Sequence, residues 1–126
     1  FGIHPNLTVA QNLSFFRKFN GNTPNKSDID DALVWVGLQG FETISSSHLS
    51  AGQTRRITLA RLYLLTPKVT PLWLLDEPFT ALDVDMVARM EERLRDFANE
   101  GGAILMTSHQ AVEVVNQLLD LSDYMV

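Results

Sequence analysis

Leu72-Trp73-Leu74-Leu75 runs straight into Asp76-Glu77, and Pro78 follows. A strand built from that apolar run is buried, and it delivers two carboxylates at its carboxyl end, where open α/β sheets gather their ligands. Neighbouring strand residues point to opposite faces, so the two acids need not share one task. One can hold a hydrated Mg²⁺ through oxygen ligands. The other can orient or deprotonate an attacking water. By itself the pair also reads as a polar exit from a strand.

Leu49-Ser50-Ala51-Gly52-Gln53 is the second cluster with chemical content. Ser50 stands at an N-cap, and Gly52 in the first turn lets backbone N–H groups approach an anion with no side chain between. The helix dipole adds about 0.3–1 kcal/mol, up to ~2 when partly buried. An ordinary capped helix with an incidental glycine is the plain alternative, although that glycine costs up to ~1 kcal/mol against alanine. Two further groups sit close to these. Thr80-Ala81-Leu82-Asp83 follows the acids, where Asp83 can simply cap a helix. Ser108-His109 follows a second apolar run, which places His109 on the same sheet edge as Asp76 and Glu77. His4 and His48 lack such placement.

The elements that must position these residues follow from capping and periodicity. Thr8-x-x-Gln11, Ser27-x-x-Asp30 and Ser50-x-x-Gln53 each put a hydroxyl before an apolar periodic run, with a polar reach-back residue three positions on. They predict helices over 9–19, 28–36 and 51–65. Asn20–Asn25 is a loop by composition, and Gly37 and Gly40 break the chain. A strand is expected at 72–76. Val87, Met90, Leu94 and Phe97 predict a helix over 84–99, ended by Gly101-Gly102. A strand at 103–107, a helix at 110–119 and a strand beginning at Tyr124–Val126 complete the order. Apolar strands separated by helices imply an α/β fold with a parallel sheet covered on both faces.

The 126 residues, 45% apolar and 20% charged, suit one globular domain. A net charge of −5, with scattered Lys and Arg, gives nucleic acid no electrostatic footprint. Cysteine is absent, which excludes disulfides and thiolate metal sites. No apolar run approaches the ~20 residues that span a bilayer.

Taken in order, these motifs resemble the nucleotide-binding subunit of an ABC transporter: signature motif at 49–53, Walker B segment at 72–77, D-loop at 80–83 and switch histidine at 109. The resemblance covers essentially the whole chain, and Phe1–Phe16 looks like the stretch that opens the helical subdomain. Leu49–Leu62 and Pro71–Asp83 are most similar to the ATP-binding subunits of haem exporters in cytochrome c biogenesis, with Ala51 where most signatures carry glycine.

The resemblance implies a P-loop NTPase fold of ABC type, with a helical subdomain at 1–66 and the carboxyl half of a nucleotide-binding core at 67–126. It implies ATP and Mg²⁺ as ligands. Asp76 would coordinate Mg²⁺ through water, Glu77 would polarise the hydrolytic water, and His109 would contact the γ-phosphate. Ser50, Gly52 and Gln53, with Ala51 among them, would touch the nucleotide held by the opposite subunit, and Asp83 would link the two sites. The partners implied are a second ATP-binding subunit and membrane-spanning permease subunits, with this subunit peripheral on the cytoplasmic face of the inner membrane. Another ABC transporter, or an ABC ATPase that moves no substrate, is the alternative.

The family's Walker A loop, Gly-x-x-x-x-Gly-Lys-Ser/Thr, is not among these residues, since the seven glycines never form that spacing with a lysine. Residues 1–126 are therefore expected to be an amino-terminally truncated piece, inactive alone, with an apolar sheet surface and a strand edge left open. Phe15, Phe16, Phe19 and Trp35 are expected in the core or on a docking surface.

Overall fold

The computed structural model describes residues 2–19, 25–68 and 70–108. His109, the helix expected at 110–119 and the strand expected at 124–126 lie outside them, as do the side chains of Phe16 and Phe19. The element order is α1 (Val9–Phe19), α2 (Lys26–Trp35), a 3-10 turn (Ser46–His48), α3 (Ala51–Leu64), β1 (Leu72–Asp76), α4 (Val84–Asn99) and β2 (Ala103–Thr107).

Reciprocal side-chain caps start two of the helices as expected. At α1, Thr8 N–H donates to Gln11 Oε1 at 2.9 Å and Gln11 N–H donates to Thr8 Oγ1 at 3.1 Å. At α3, Ser50 N–H donates to Gln53 Oε1 at 2.9 Å and Gln53 N–H to Ser50 Oγ at 3.1 Å. The start of α2 corrects the sequence expectation. Its cap is Asn25, whose side chain accepts from Asp28 N–H at 2.7 Å, and Ser27 lies inside the first turn. Asn caps as well as Ser does, so the earlier of two competent residues took the position. The 3-10 turn at Ser46–His48 was not anticipated.

Glycine ends α2 and α4 by one mechanism. After α2, Gly37 sits at φ +75°, with Leu38 N–H on Leu33 C=O at 2.8 Å and Gly37 N–H on Val34 C=O at 3.0 Å. After α4, Gly101 sits at φ +99°, with Gly102 N–H on Phe97 C=O and Gly101 N–H on Ala98 C=O, both at 3.0 Å. Both are Schellman closures, in which the left-handed residue lets two terminal carbonyls find donors. The second is also tightly packed. A Cβ on Gly102 would stand 2.2 Å from the Phe97 ring. Gly102→Ala is therefore expected to cost about 1–3 kcal/mol through forced repacking, read as a lower urea midpoint at unchanged m-value.

β1 and β2 are parallel and in register from Leu72↔Ala103 to Asp76↔Thr107, with α4 as the crossover. The buried stripe of α4 is Met86, Met90, Leu94 and Phe97, with Val87 only partly covered. Trp73 stacks on Phe97 at 3.6 Å between ring centroids. Leu75, Ile104 and Met106 pack on the same core.

A parallel sheet of this class is covered on both faces, but for residues 1–126 an open apolar face is expected, and the other sheet face is open: Leu72, Leu74 and Leu105 are 51%, 69% and 65% exposed. Among the described residues the sheet has two strands and one covered face. Trp35 packs against the core and stands 5.7 Å from Tyr63, whereas Phe15 is 58% exposed and so is not core.

Val9, Leu13, Ile29, Ala32, Leu33, Ile57 and Ala60 join α1, α2 and α3 in one apolar cluster that continues to Trp73 and α4. Arginines cross the junction. Arg89 donates to Trp35 C=O at 2.9 Å, and Arg93 donates to Leu62 C=O at 3.1 Å and to Leu65 C=O. These carbonyls lie at the ends of α2 and α3, where cations are favoured by the helix dipole. Arg61 is buried and donates to Gly2 C=O at 3.1 Å; desolvation pushes its guanidinium below the ordinary arginine value.

Candidate functional site

The carboxyl edge of the two-stranded sheet carries the acids. Asp76 is the last residue of β1 and pairs with Thr107, the last of β2, whose hydroxyl donates to Asp76 Oδ1. Glu77 then leaves the strand in the left-handed region, at φ +49°. Such a conformation costs a non-glycine residue on the order of 1–3 kcal/mol and persists only where neighbours over-determine it.

Those neighbours are visible. Glu77 N–H donates to Thr107 C=O at 3.0 Å and to Thr107 Oγ1 at 3.2 Å. Glu77 C=O accepts from Thr80 N–H at 3.2 Å and from Arg55 Nη2 at 2.7 Å. Thr80 Oγ1 stands 3.5 Å from Glu77 Oε2. The left-handed backbone thus sets the direction in which the Glu77 side chain leaves the sheet, and Thr107 ties both acids to the second strand. Sequence reasoning missed Thr107. Its signal was register: it stands two residues before His109 at the end of an apolar run, as Asp76 ends the other.

The oxygen-only donor set suits a hard cation. Mg²⁺ keeps several waters and takes one or two carboxylates together with substrate phosphates. Asp76 fits that pattern, and among the described residues no cluster of three or more His, Cys, Asp or Glu competes for an ion.

The start of α3 is a different surface. Gly52 is exposed, and a Cβ built on it meets nothing within 4 Å. The capping box uses the N–H groups of Ser50 and Gln53, so the first-turn N–H groups of Ala51 and Gly52 lie beyond its reach. One and two residues past that turn, α3 reaches the acid loop through Arg55 and Arg56.

Asp83 caps α4, accepting from Met86 N–H at 2.8 Å on Oδ1, and pairs with Arg56 Nη2 at 3.3 Å through Oδ2. Arg56 Nη1 also donates to Val36 C=O at 3.2 Å. The structure therefore brings Asp76, Glu77 and Asp83 together with α3, whose exposed start is Ser50–Gln53. His109 lies outside the described residues. His4 engages Asn12 through its backbone, and His48 is an exposed residue of the 3-10 turn.

A parallel strand pair ending in adjacent acids, joined to a capped helix with an exposed Gly52, is the arrangement of an ATP-binding cassette, and the chain belongs to the ABC transporter family, whose sequence profile matches residues 1–80. Within that family it is similar to proteins named cytochrome c biogenesis ATP-binding export protein CcmA. Identity is 41% over 132 aligned positions to that of Saccharophagus degradans, covering 98% of this chain and 58% of the relative. It is 47% over 113 positions to that of Methylococcus capsulatus, covering 90% and 53%. It is 43% over 113 positions to that of Escherichia coli K12, covering 90% and 51%. The chain thus spans a little over half the length of these curated relatives.

Solved structures agree on the fold. A putative ABC transporter ATP-binding protein from Pyrococcus furiosus superposes with a TM-score of 0.70 at 24% identity, over 88% of this chain and 54% of that one. The ATP-binding cassette MJ0796, a dimer bound to ADP and phosphate, superposes with a TM-score of 0.67 at 22% identity, over 86% and 48%.

Proposed function

We propose that these residues are the signature-bearing and Walker B parts of an ABC ATPase subunit that drives haem export for cytochrome c maturation. The division is 1–66 for the helical subdomain and 67–126 for the core. The observation that carries the reading is the placement of Asp76 and the strained Glu77 at one sheet edge, linked through Arg55 to the helix that starts at Ser50. The haem-export assignment draws on the 41–47% identity to the CcmA proteins.

In this mechanism Glu77 orients a water against the γ-phosphorus and takes up its proton as the water oxygen bonds to phosphorus. The bond to the β–γ bridging oxygen breaks, and ADP and phosphate leave. Asp76 holds the ion's water shell; Mg²⁺, when bound, would offset the negative charge of the phosphates. Ser50, Ala51, Gly52 and Gln53 present the helix start to the γ-phosphate of nucleotide held by a second ATP-binding subunit, Asp83 lies between the two sites, and His109 contacts the γ-phosphate. Among the described residues no helix is long and apolar enough to cross a membrane. Permease subunits would provide the path, and this subunit would be peripheral on the cytoplasmic face of the inner membrane.

The test compares residues 1–126 alone with a whole subunit that supplies a glycine-lysine phosphate loop. Phosphate release from Mg-ATP is expected only from the whole subunit, because that loop provides most β- and γ-phosphate contacts. In cells lacking the native subunit, the whole protein should restore c-type cytochromes and its Asp76→Asn variant should not. Hydrolysis by residues 1–126 alone would overturn the division of labour. Turnover without cytochrome maturation would remove haem export and leave the ATPase.

A further inference from the structure

Arg55 is the fifth residue of α3, partly buried, and its guanidinium reaches 22 positions along the chain to donate to Glu77 C=O at 2.7 Å. That carbonyl precedes Pro78, whose ring nitrogen carries no hydrogen, at the point where the backbone turns left-handed at φ +49°. This backbone sets the direction of the Glu77 Cα–Cβ bond, from which the carboxylate extends, so whatever holds the Glu77–Pro78 peptide also sets where the acid starts from.

The next residue grips the other end of the same loop: Arg56 pairs with Asp83 at 3.3 Å and donates to Val36 C=O at 3.2 Å. Room for it comes from Gly37, where a Cβ would stand 3.1 Å from Arg56 Nη1. Two consecutive side chains of one helix therefore hold residues 77 and 83, while the same helix begins, one turn earlier, at Ser50–Gln53.

We propose that Arg55 is a positioning residue that ties the aim of Glu77 to the seating of the α3 start, so that water attack is favoured only when Ser50–Gln53 face a phosphate. The proposal rests on the ATPase reading of the site. A hydrogen bond from a charged guanidinium to a carbonyl is stronger than a neutral one. Release of the Glu77–Pro78 peptide lets the strained residue relax, and misplacement by about 1 Å is enough to cost on the order of 100-fold in rate.

The experiment is a double-mutant cycle in the whole subunit, with Arg55→Ala, Arg55→Lys and Glu77→Gln singly and combined, read by single-turnover ATP hydrolysis and thermal melting. Arg55→Ala is expected to lower kcat about 10- to 100-fold with KM for ATP changed less than about threefold. Arg55→Lys should fall between it and the parent, and it carries the comparison if the alanine variant does not fold.

In the Glu77→Gln background the same Arg55 change should cost less than about threefold, because an acid already lost cannot be mis-aimed. Equal factors in both backgrounds would mark Arg55 as a structural strut and overturn the proposal. Full turnover in Arg55→Ala beside a crippled Glu77→Gln would overturn the proposal alone. Full turnover in Glu77→Gln would overturn the ATPase reading of the site and the proposal with it.

Discussion

Glu77→Gln in the whole subunit is expected to lower ATP turnover by about 10²–10⁴-fold, the usual cost of a lost general base. The substitution is a narrow one. Glutamine keeps the Cβ, so the backbone at φ +49° meets no new clash, and its amide oxygen still accepts from Thr80 Oγ1. The peptide contacts to Thr107 and Arg55 are made by main-chain atoms and survive. The carboxylate charge and its basicity go. ATP binding should therefore persist while hydrolysis stalls, and the ATP-bound dimer should live long enough to be seen as a doubled mass by light scattering. Turnover within about threefold of the parent would show that Glu77 is not the base.

Gly52→Asp separates stability from function in the opposite direction. A Cβ at Gly52 meets no atom within 4 Å, so nothing in the chain must move. An acid in the first turn of a helix is favoured by about 0.3–1 kcal/mol, and a non-glycine residue adds a few tenths through helix propensity. Thermal stability should hold or rise slightly. Activity should fall by at least about 100-fold. A unit negative charge about 4 Å from an approaching phosphate charge costs roughly 4 kcal/mol at an effective dielectric constant near 20. Melting and phosphate release on one preparation read both effects. A fully active Gly52→Asp would mean that the start of α3 does not face the nucleotide.

The fold was legible wherever one local signal had no competitor. Capping boxes at Thr8 and Ser50, the apolar run before Asp76 and the glycine pair after α4 placed their elements within a residue. Where two local signals competed, as with Asn25 and Ser27, the hydroxyl was preferred and the amide won. Of the candidate site, the position of Asp76 at a strand end and of Ser50 at a helix cap was legible, since both depend on neighbours in sequence.

The left-handed turn at Glu77, the Thr107 hydroxyl on Asp76 and the arginines on distant carbonyls were not legible. Each depends on a partner 20 or more positions away, and on a register that no local pattern states. The open face of the sheet was legible as an apolar surface, but not which residues form it: Leu72, Leu74 and Leu105 share one face only because the two strands pair in register.

Trp73 has a ring nitrogen with no hydrogen-bond partner among the described residues, an aromatic plate against one face, and the Arg93 guanidinium carbon 5.5 Å from its centre. Trp35, the only other indole, ends α2 and stands beside Tyr63. The molecule thereby carries one indole in α2 and one in β1. Emission from a Trp35→Phe protein would report on the strand that ends in the acids, and any drift in its colour when nucleotide is added would chart how far that strand senses the event.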